Sequence, residues 1–335
     1  MSCTSIPRVI AETRTDASKG TVKWSPVQSI WTFAMMAGGL IGGALTFSWD
    51  ALALFFVTTA ITIGLGHSLG MHRLLIHRAY KTPRWIEYTF VYLGTLVGMA
   101  GPIGMIKTHD LRDWAQRQKT CHDFFGHRRS FWVDAFHQMH CRMELDHPPR
   151  FEIEDRVAKD SFYQFLERTW RWQQLPWAVL FFLIGGWSCV FWGIALRVFV
   201  SLTGHWMVGH FAHNDGHQGW RVEGAAVQGY NVRWVGLITF GEGWHANHHA
   251  FPGSARLGLE PHQTDPGWWT LLAMKKLGLV WDIVTPEQLP ARAELRRVPQ
   301  EREDDAGCPV MGATARTVKR LREGTSDPNR HDILA

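Results

Sequence analysis

What this sequence lacks narrows its chemistry first. Its five cysteines (Cys3, Cys121, Cys141, Cys189 and Cys308) are scattered and form no CxxC pair, so neither a disulfide framework nor a thiolate zinc site is expected. No GxGxxG follows a strand and no P-loop occurs; Gly64-Leu-Gly66-His-Ser-Leu-Gly70 has the wrong spacing and lies in an apolar run. A net charge of +5 is modest, and the basic residues form no single stripe, so no nucleic-acid partner is expected. The first 24 residues carry Arg8, Glu12, Arg14, Asp16, Lys19 and Lys23 without an apolar run, which argues against a cleaved secretory signal. No internal repeat is visible.

Histidine and tryptophan are what the sequence has in excess, 18 of each in 335 residues. Seventeen of the histidines lie between His67 and His262, which raises metal chemistry. Mean hydropathy is bland at −0.13, yet the apolar residues come in blocks. Residues 29–48 contain no charge, and residues 51–71 contain only His67. Each approaches the roughly 20 apolar residues that span a bilayer, and the short Trp49-Asp50 connector makes them an antiparallel hairpin. Gly38, Gly39, Gly42 and Gly43 suit close helix approach. A second hairpin is expected from Leu175 to about Val208, closed by Gly185-Gly186, with Arg197 turned to the bundle or an interface. Trp24, Trp31, Trp49, Trp177 and Trp206 lie near the ends of these runs, as in an interfacial belt. A pair of globular core helices is the competing reading.

The run 85–106 is long enough to cross, but Gly94, Gly98, Gly101 and Pro102 interrupt it. His72 and His77 precede it and His109 follows it; if they share one centre, an even number of crossings must separate them. This segment is therefore expected to be re-entrant or interfacial. The fold expected is all-α and integral to the membrane: two transmembrane hairpins, about four helices, under a helical cap that holds a metal site. Residues 1–28 are read as an N-terminal cytosolic segment, 29–290 as the membrane domain, and 291–335 as a flexible tail.

Four histidine clusters sit beside apolar boundaries: His72 with His77, His109 with Asp113, His210 with His213, and His245 with His248 and His249. The five-residue gap from His72 to His77 turns an α-helix by about 500°. Their rings should then point to different faces unless the helix ends there, and could serve two neighbouring metals. His109 and Asp113 share a face at i, i+4, and His245 shares one with both later histidines. Imidazole suits iron, zinc, copper and nickel. Seven or more ligands exceed the four of a structural zinc, and a two-metal centre assembled within a helix bundle follows.

These residues resemble the membrane-bound acyl-CoA (fatty acid) desaturases, the histidine-box di-iron family. The resemblance is carried by Gly-Met-His72-Arg-Leu-Leu-Ile-His77-Arg and by Gly101-Pro102 ahead of His109. Most specific is Phe240-Gly-Glu-Gly-Trp-His245-Ala-Asn-His248-His249-Ala-Phe-Pro-Gly-Ser-Ala-Arg256. Asp265-Pro-Gly-Trp268-Trp269 and Leu277-Gly-Leu-Val-Trp281-Asp282 continue the pattern, which runs from about Trp31 to Pro286. The family implies four membrane helices, a cytosolic cap, and two iron ions. Carried over by position, the metal ligands are His72, His77, His109, His213, His245, His248 and His249.

Two departures stand out. Where the family has His-x-x-His-His, this chain has His109-x-x-Arg112-Asp113, and where it usually has Asn four residues before His213, this chain has Gly209. Arginine cannot ligate, so Arg112 is expected to pair with an acid or touch substrate, while Asp113 is an admissible iron ligand. His67, His122, His127 and His210 are further candidates. The implied reaction is desaturation of a fatty acyl chain, on CoA or a lipid, with O₂ and electrons from an external ferredoxin or cytochrome b5-type carrier. Hydroxylation by the same fold and a non-catalytic membrane protein remain the alternatives. Arg73, Arg78, Lys81 and Arg84 are read as a positive-inside signal, or as a surface for lipid, acyl-carrier phosphate or redox partner.

Overall fold

Ser48 starts the first long apolar helix. Its side chain accepts from the Ala51 N–H, Asp50 stands in the first turn, and the helix then runs over Trp49–Ile76. A computed structural model describes residues 8–299 of the chain. In it, Trp49–Ile76 and Gln174–Asn214 are long and apolar enough to cross a membrane. The second of these is not straight. Gly185 (φ −149°) and Gly186 (φ +64°, ψ −154°) leave helical geometry, and the left-handed φ at Gly186 is one that a side chain would resist. The expected hairpin turn therefore falls on the Gly-Gly pair. A third apolar stretch, Pro26–Ala37, continues helically through Gly38–Gly42 to Gly43–Leu45.

The run 85–106 is two helices and not one, Arg84–Thr95 and Pro102–Arg117. Gly98 and Gly101 separate them and Pro102 opens the second, where the missing proline N–H costs nothing. The Glu167 carboxylate accepts from the Ile103 and Gly104 N–H groups at 2.9 Å each, tying down that helix start. Arg84–Thr95 packs closely along Trp49–Ile76: a Cβ on Gly66 would lie 2.4 Å from the Gly94 nitrogen, so the two backbones touch.

The chain is mostly helical, and the all-α expectation needs one amendment. Among the described residues three two-stranded antiparallel pairs occur: Val9–Ile10 with Arg150–Phe151, Gly20–Trp24 with Cys141–Leu145, and Trp220–Val222 with Leu295–Arg297. The last lies inside the segment read as a tail, so residues 295–297 are held by a ladder; residues 300–335 lie outside the described residues. Arg8, in the N-terminal segment, is buried and donates to the carbonyls of Leu75 and Ile76 at 3.0 Å each. A cation thus covers the carbonyl end of the helix that carries His72.

The basic cluster is not a free surface. Arg73 pairs with Asp265 at 2.8 Å and Lys81 with Asp282 at 2.7 Å; Arg78 pairs with Glu154 and Arg84 with Asp160. These ion pairs tie the end of the first long helix to the polar layer above it.

Candidate metal centre

The last sixteen residues of the first long helix, Ile61–Ile76, are wound as a π-helix. The His77 N–H accordingly donates to the His72 carbonyl, five residues back, at 3.0 Å. That wider winding, together with the end of the helix at Ile76 with His77 as its C-cap, meets the condition under which the two rings need not diverge. Residues five apart come to lie side by side, and the Nε2 atoms of His72 and His77 face each other at 3.1 Å. Both nitrogens face the same space.

His109, from Pro102–Arg117, and His248, from the short helix His245–Ala250, complete the first set. One ligand atom from each of these four histidines lies within 4.8 Å of the others. A second set consists of His213, at the end of the 174–214 hairpin, with His245 and His249. Here the His245 Nε2 lies 3.1 Å from the Nε2 of His213 and 3.1 Å from that of His249. The two sets share the helix His245–Ala250, with the rings of His245 and His248 5.6 Å apart. All seven histidines expected from the sequence fall in the two sets. Asp113 does not: its carboxylate bonds Arg117 at 2.7 Å. Its charge nevertheless acts on His245, His248 and His249.

Each neutral imidazole has one N–H, so rings that converge nitrogen to nitrogen cannot all satisfy one another. The arrangement suits a cation. An ion about 2.1 Å from two nitrogens at a right angle sets them about 3.0 Å apart, close to the 3.1 Å contacts in both sets. His248 Nδ1 is buried without a hydrogen-bond partner among the described residues. Burial pushes His77, His245 and His248 well below the ordinary imidazole range and His249 to about 4, so their lone pairs stay free. For His109 burial also works against the charged ring, but the Asp110 hydrogen bond and the Asp113 charge outweigh it and hold the ring up. Among the described residues a third set, His127, Asp134 and His210, also comes within 4.8 Å. Its geometry is that of an anion already satisfied. Asp134 Oδ2 receives His127 Nδ1 at 2.8 Å, Trp206 Nε1 at 2.8 Å and His210 Nδ1 at 2.9 Å.

The sequence reading missed the groups that orient the rings. Glu242 lies 2.7 Å from His72 Nδ1 and also accepts from the Ser68 hydroxyl at 2.6 Å. Burial alone would raise the Glu242 carboxyl; His72 and Arg73 reverse this and hold it well below the ordinary range. Its signal was available, a carboxylate three residues before His245. Gln116 approaches His213 Nε2 at 3.0 Å and donates to the Phe125 carbonyl. Gln116 lies seven residues after His109 on the same helix, a two-turn spacing that would have flagged it.

Both departures from the family pattern meet at one ring. Among the described residues Arg112 pairs with no acid and bonds neither histidine set: it donates to His127 Nε2 at 2.5 Å and to Gln138 Oε1 at 2.7 Å. A Cβ on Gly209 would lie 3.0 Å from that same Nε2, so the missing side chain leaves the room that His127 fills. The His127 ring stacks on His213 at 5.3 Å between centroids. Burial, then Arg112, pushes His127 down to about 4. His122 accepts from the Phe124 N–H and so caps Asp123–Gly126, while His67 meets His205 edge-on at 5.1 Å and belongs to neither set.

A family described as fatty acid desaturase matches residues 47–273. The sn-1 stearoyl-lipid 9-desaturase of Anabaena variabilis is 36% identical over 261 residues, 76% of this chain and 93% of that protein. The acyl-CoA 5-desaturase AL21 of Anemone leveillei is 32% identical over 263 residues, 77% of this chain and 80% of that protein. An sn-1 stearoyl-lipid 9-desaturase of Synechocystis is 34% identical over 243 residues, covering 72% and 74%. The histidine sets lie inside the matched region, and the chain belongs to the fatty acid desaturase family, oxidoreductases that desaturate fatty acyl chains.

Proposed function

We propose that the protein is a di-iron acyl desaturase of the membrane, with His72, His77, His109 and His248 holding one ion and His213, His245 and His249 the other. Asp113, whose charge acts on histidines of both sets, serves as a neutralising charge nearby. The observation that carries this reading is the convergence of two imidazole sets, buried or half-buried, around one short helix, His245–Ala250. Iron at these positions supplies the activation of O₂ needed to remove hydrogen from an unactivated C–H bond. The protein's own part is orientation and exclusion of water: Glu242 and Asp110 fix the rings of His72 and His109, and the sets are largely shut off from solvent. The acyl chain arrives on a lipid or on CoA, the two carriers named for the relatives. Electrons come from an external carrier of the ferredoxin or cytochrome b5 type.

The helical stretches Pro26 to Leu45 and Trp49–Ile76 and the two legs of Gln174–Asn214 make four crossings. With the ends bearing Arg8, Arg73 and Arg78 taken as cytosolic, the iron site faces the cytosol. Iron content of the detergent-purified protein, measured with lipid profiles of expressing cells, tests the reading. About two irons per chain and new unsaturated acyl chains are expected; His248→Ala should abolish the unsaturated chains and lower the iron to about one per chain. No iron under iron-replete expression, or lipid profiles that change equally with the variant, overturns it.

A further inference from the structure

Away from the histidine sets, a groove runs between the helix that begins at Pro26 and both legs of the 174–214 hairpin. It encloses about 600 Å³. Its wall from Val27 to Gly38 is about 16 Å of helix at 1.5 Å per residue. That is about half of a ~30 Å hydrocarbon core, the depth of one leaflet. The floor closes where the helices touch: a Cβ on Gly39 would lie 2.7 Å from Leu196 Cα, and one on Gly42 would lie 2.7 Å from the Phe191 ring.

The mouth is of opposite character. Arg168 and Arg171 stand there with Trp170 and Trp172. The Arg171 guanidinium lies 4.0 Å from the Trp170 ring centroid and 6.0 Å from that of Trp31. Its Nε is buried with no hydrogen-bond partner among the described residues. Arg168 makes a 3.4 Å contact to its neighbour Gln164, and neither arginine has a carboxylate partner among the described residues. Two cations lacking an anion, framed by interfacial tryptophans at the top of a leaflet-deep apolar wall, match one chemistry: a phosphate joined to an acyl chain. Soluble anions would leave the wall bare, and a zwitterionic lipid would bring its own ammonium beside its phosphate, adding a cation where two already lack an anion.

We propose that this groove binds one bilayer phospholipid of anionic headgroup, its phosphate on Arg171 and Arg168 and one acyl chain along the Val27–Gly38 wall. The proposal rests on the membrane placement given above but not on the iron site, with which the groove shares no residue. The test uses the full chain in dodecylmaltoside supplied with dioleoyl phosphatidylglycerol or dioleoyl phosphatidylcholine, with retained lipid counted by native mass spectrometry. Wild type should keep about one phosphatidylglycerol per chain, at least fivefold over phosphatidylcholine. The double variant R168Q/R171Q should lose that preference, and Ala34→Trp, which fills the groove, should lose the lipid; both should keep wild-type iron and melting temperature. Equal retention of the two lipids by wild type, retention unchanged in both variants, or displacement of phosphatidylglycerol by equimolar palmitoyl-CoA overturns the proposal. Normal iron with no lipid preference sinks the groove alone and leaves the proposed function standing.

Discussion

The Nε2 atoms of His72 and His77 face each other at 3.1 Å because the backbone between them is bonded five residues back and not four. If both serve one ion, they act as a unit and their losses do not add. His72→Ala and His77→Ala should each lower bound iron from about two to about one per chain, and the double variant should lose no more. Elemental analysis with protein quantitation decides this; a double variant stripped of both ions would mean the two rings serve different sites.

Glu242 holds His72 from behind and does not reach the imidazole face that meets His77. Carboxylates in this position raise ligand basicity and fix the ring, and their loss typically weakens metal binding 10–100-fold. Glu242→Gln should therefore release iron to a competing chelator at 10–100-fold lower chelator concentration, with helix content by circular dichroism unchanged. Wild-type chelator resistance would show that the contact is incidental.

Gly209 and His127 should be coupled. Alanine ordinarily favours a helix interior over glycine by about 1 kcal/mol. At 209, however, the new Cβ meets a ring locked by Arg112 on one side and Asp134 on the other. Overpacking of this kind costs about 1–3 kcal/mol. Gly209→Ala should be neutral to destabilising in wild type and stabilising beside His127→Ala. A thermal-melting double-mutant cycle should give a coupling of at least about 1 kcal/mol; additivity would mean the ring moves aside freely.

Acid should loosen the polar layer through Asp160, which caps Ser161–Thr169 and accepts from the Tyr88 hydroxyl, the Tyr163 N–H and Arg84. Burial tends to raise its carboxyl, but those donors outweigh it and hold it below the ordinary value of 3.8. A carboxyl depressed on folding gives stability that is full above its unfolded value and is lost as pH falls below about 4. The melting temperature should drop between pH 5 and pH 3 in wild type. Asp160→Asn keeps the cap but loses the charge facing Arg84, so it should start lower by up to about 1 kcal/mol and lose less over the same range. Parallel wild-type and variant curves would assign the acid response to other groups.

The sequence by itself determined the class of chemistry and its ingredients. Seven histidines beside apolar boundaries, and the Gly185-Gly186 break in an apolar run, are local patterns, and both histidine sets and the hairpin turn fall on them. Only the tertiary structure decided how those histidines divide into four and three, because the division depends on helix winding and on which helices touch. A gap of five residues reads as divergent on an α-helix and convergent on a π-helix, and hydropathy does not report which winding is present. The same holds for the altered second box. Arg112 and Gly209 are separate anomalies in the sequence, 97 positions apart, and both prove to be accommodations to one ring, His127, once the helices pack. Contacts between distant segments set the partners of buried polar groups, and such partners leave no periodic trace in a linear chain.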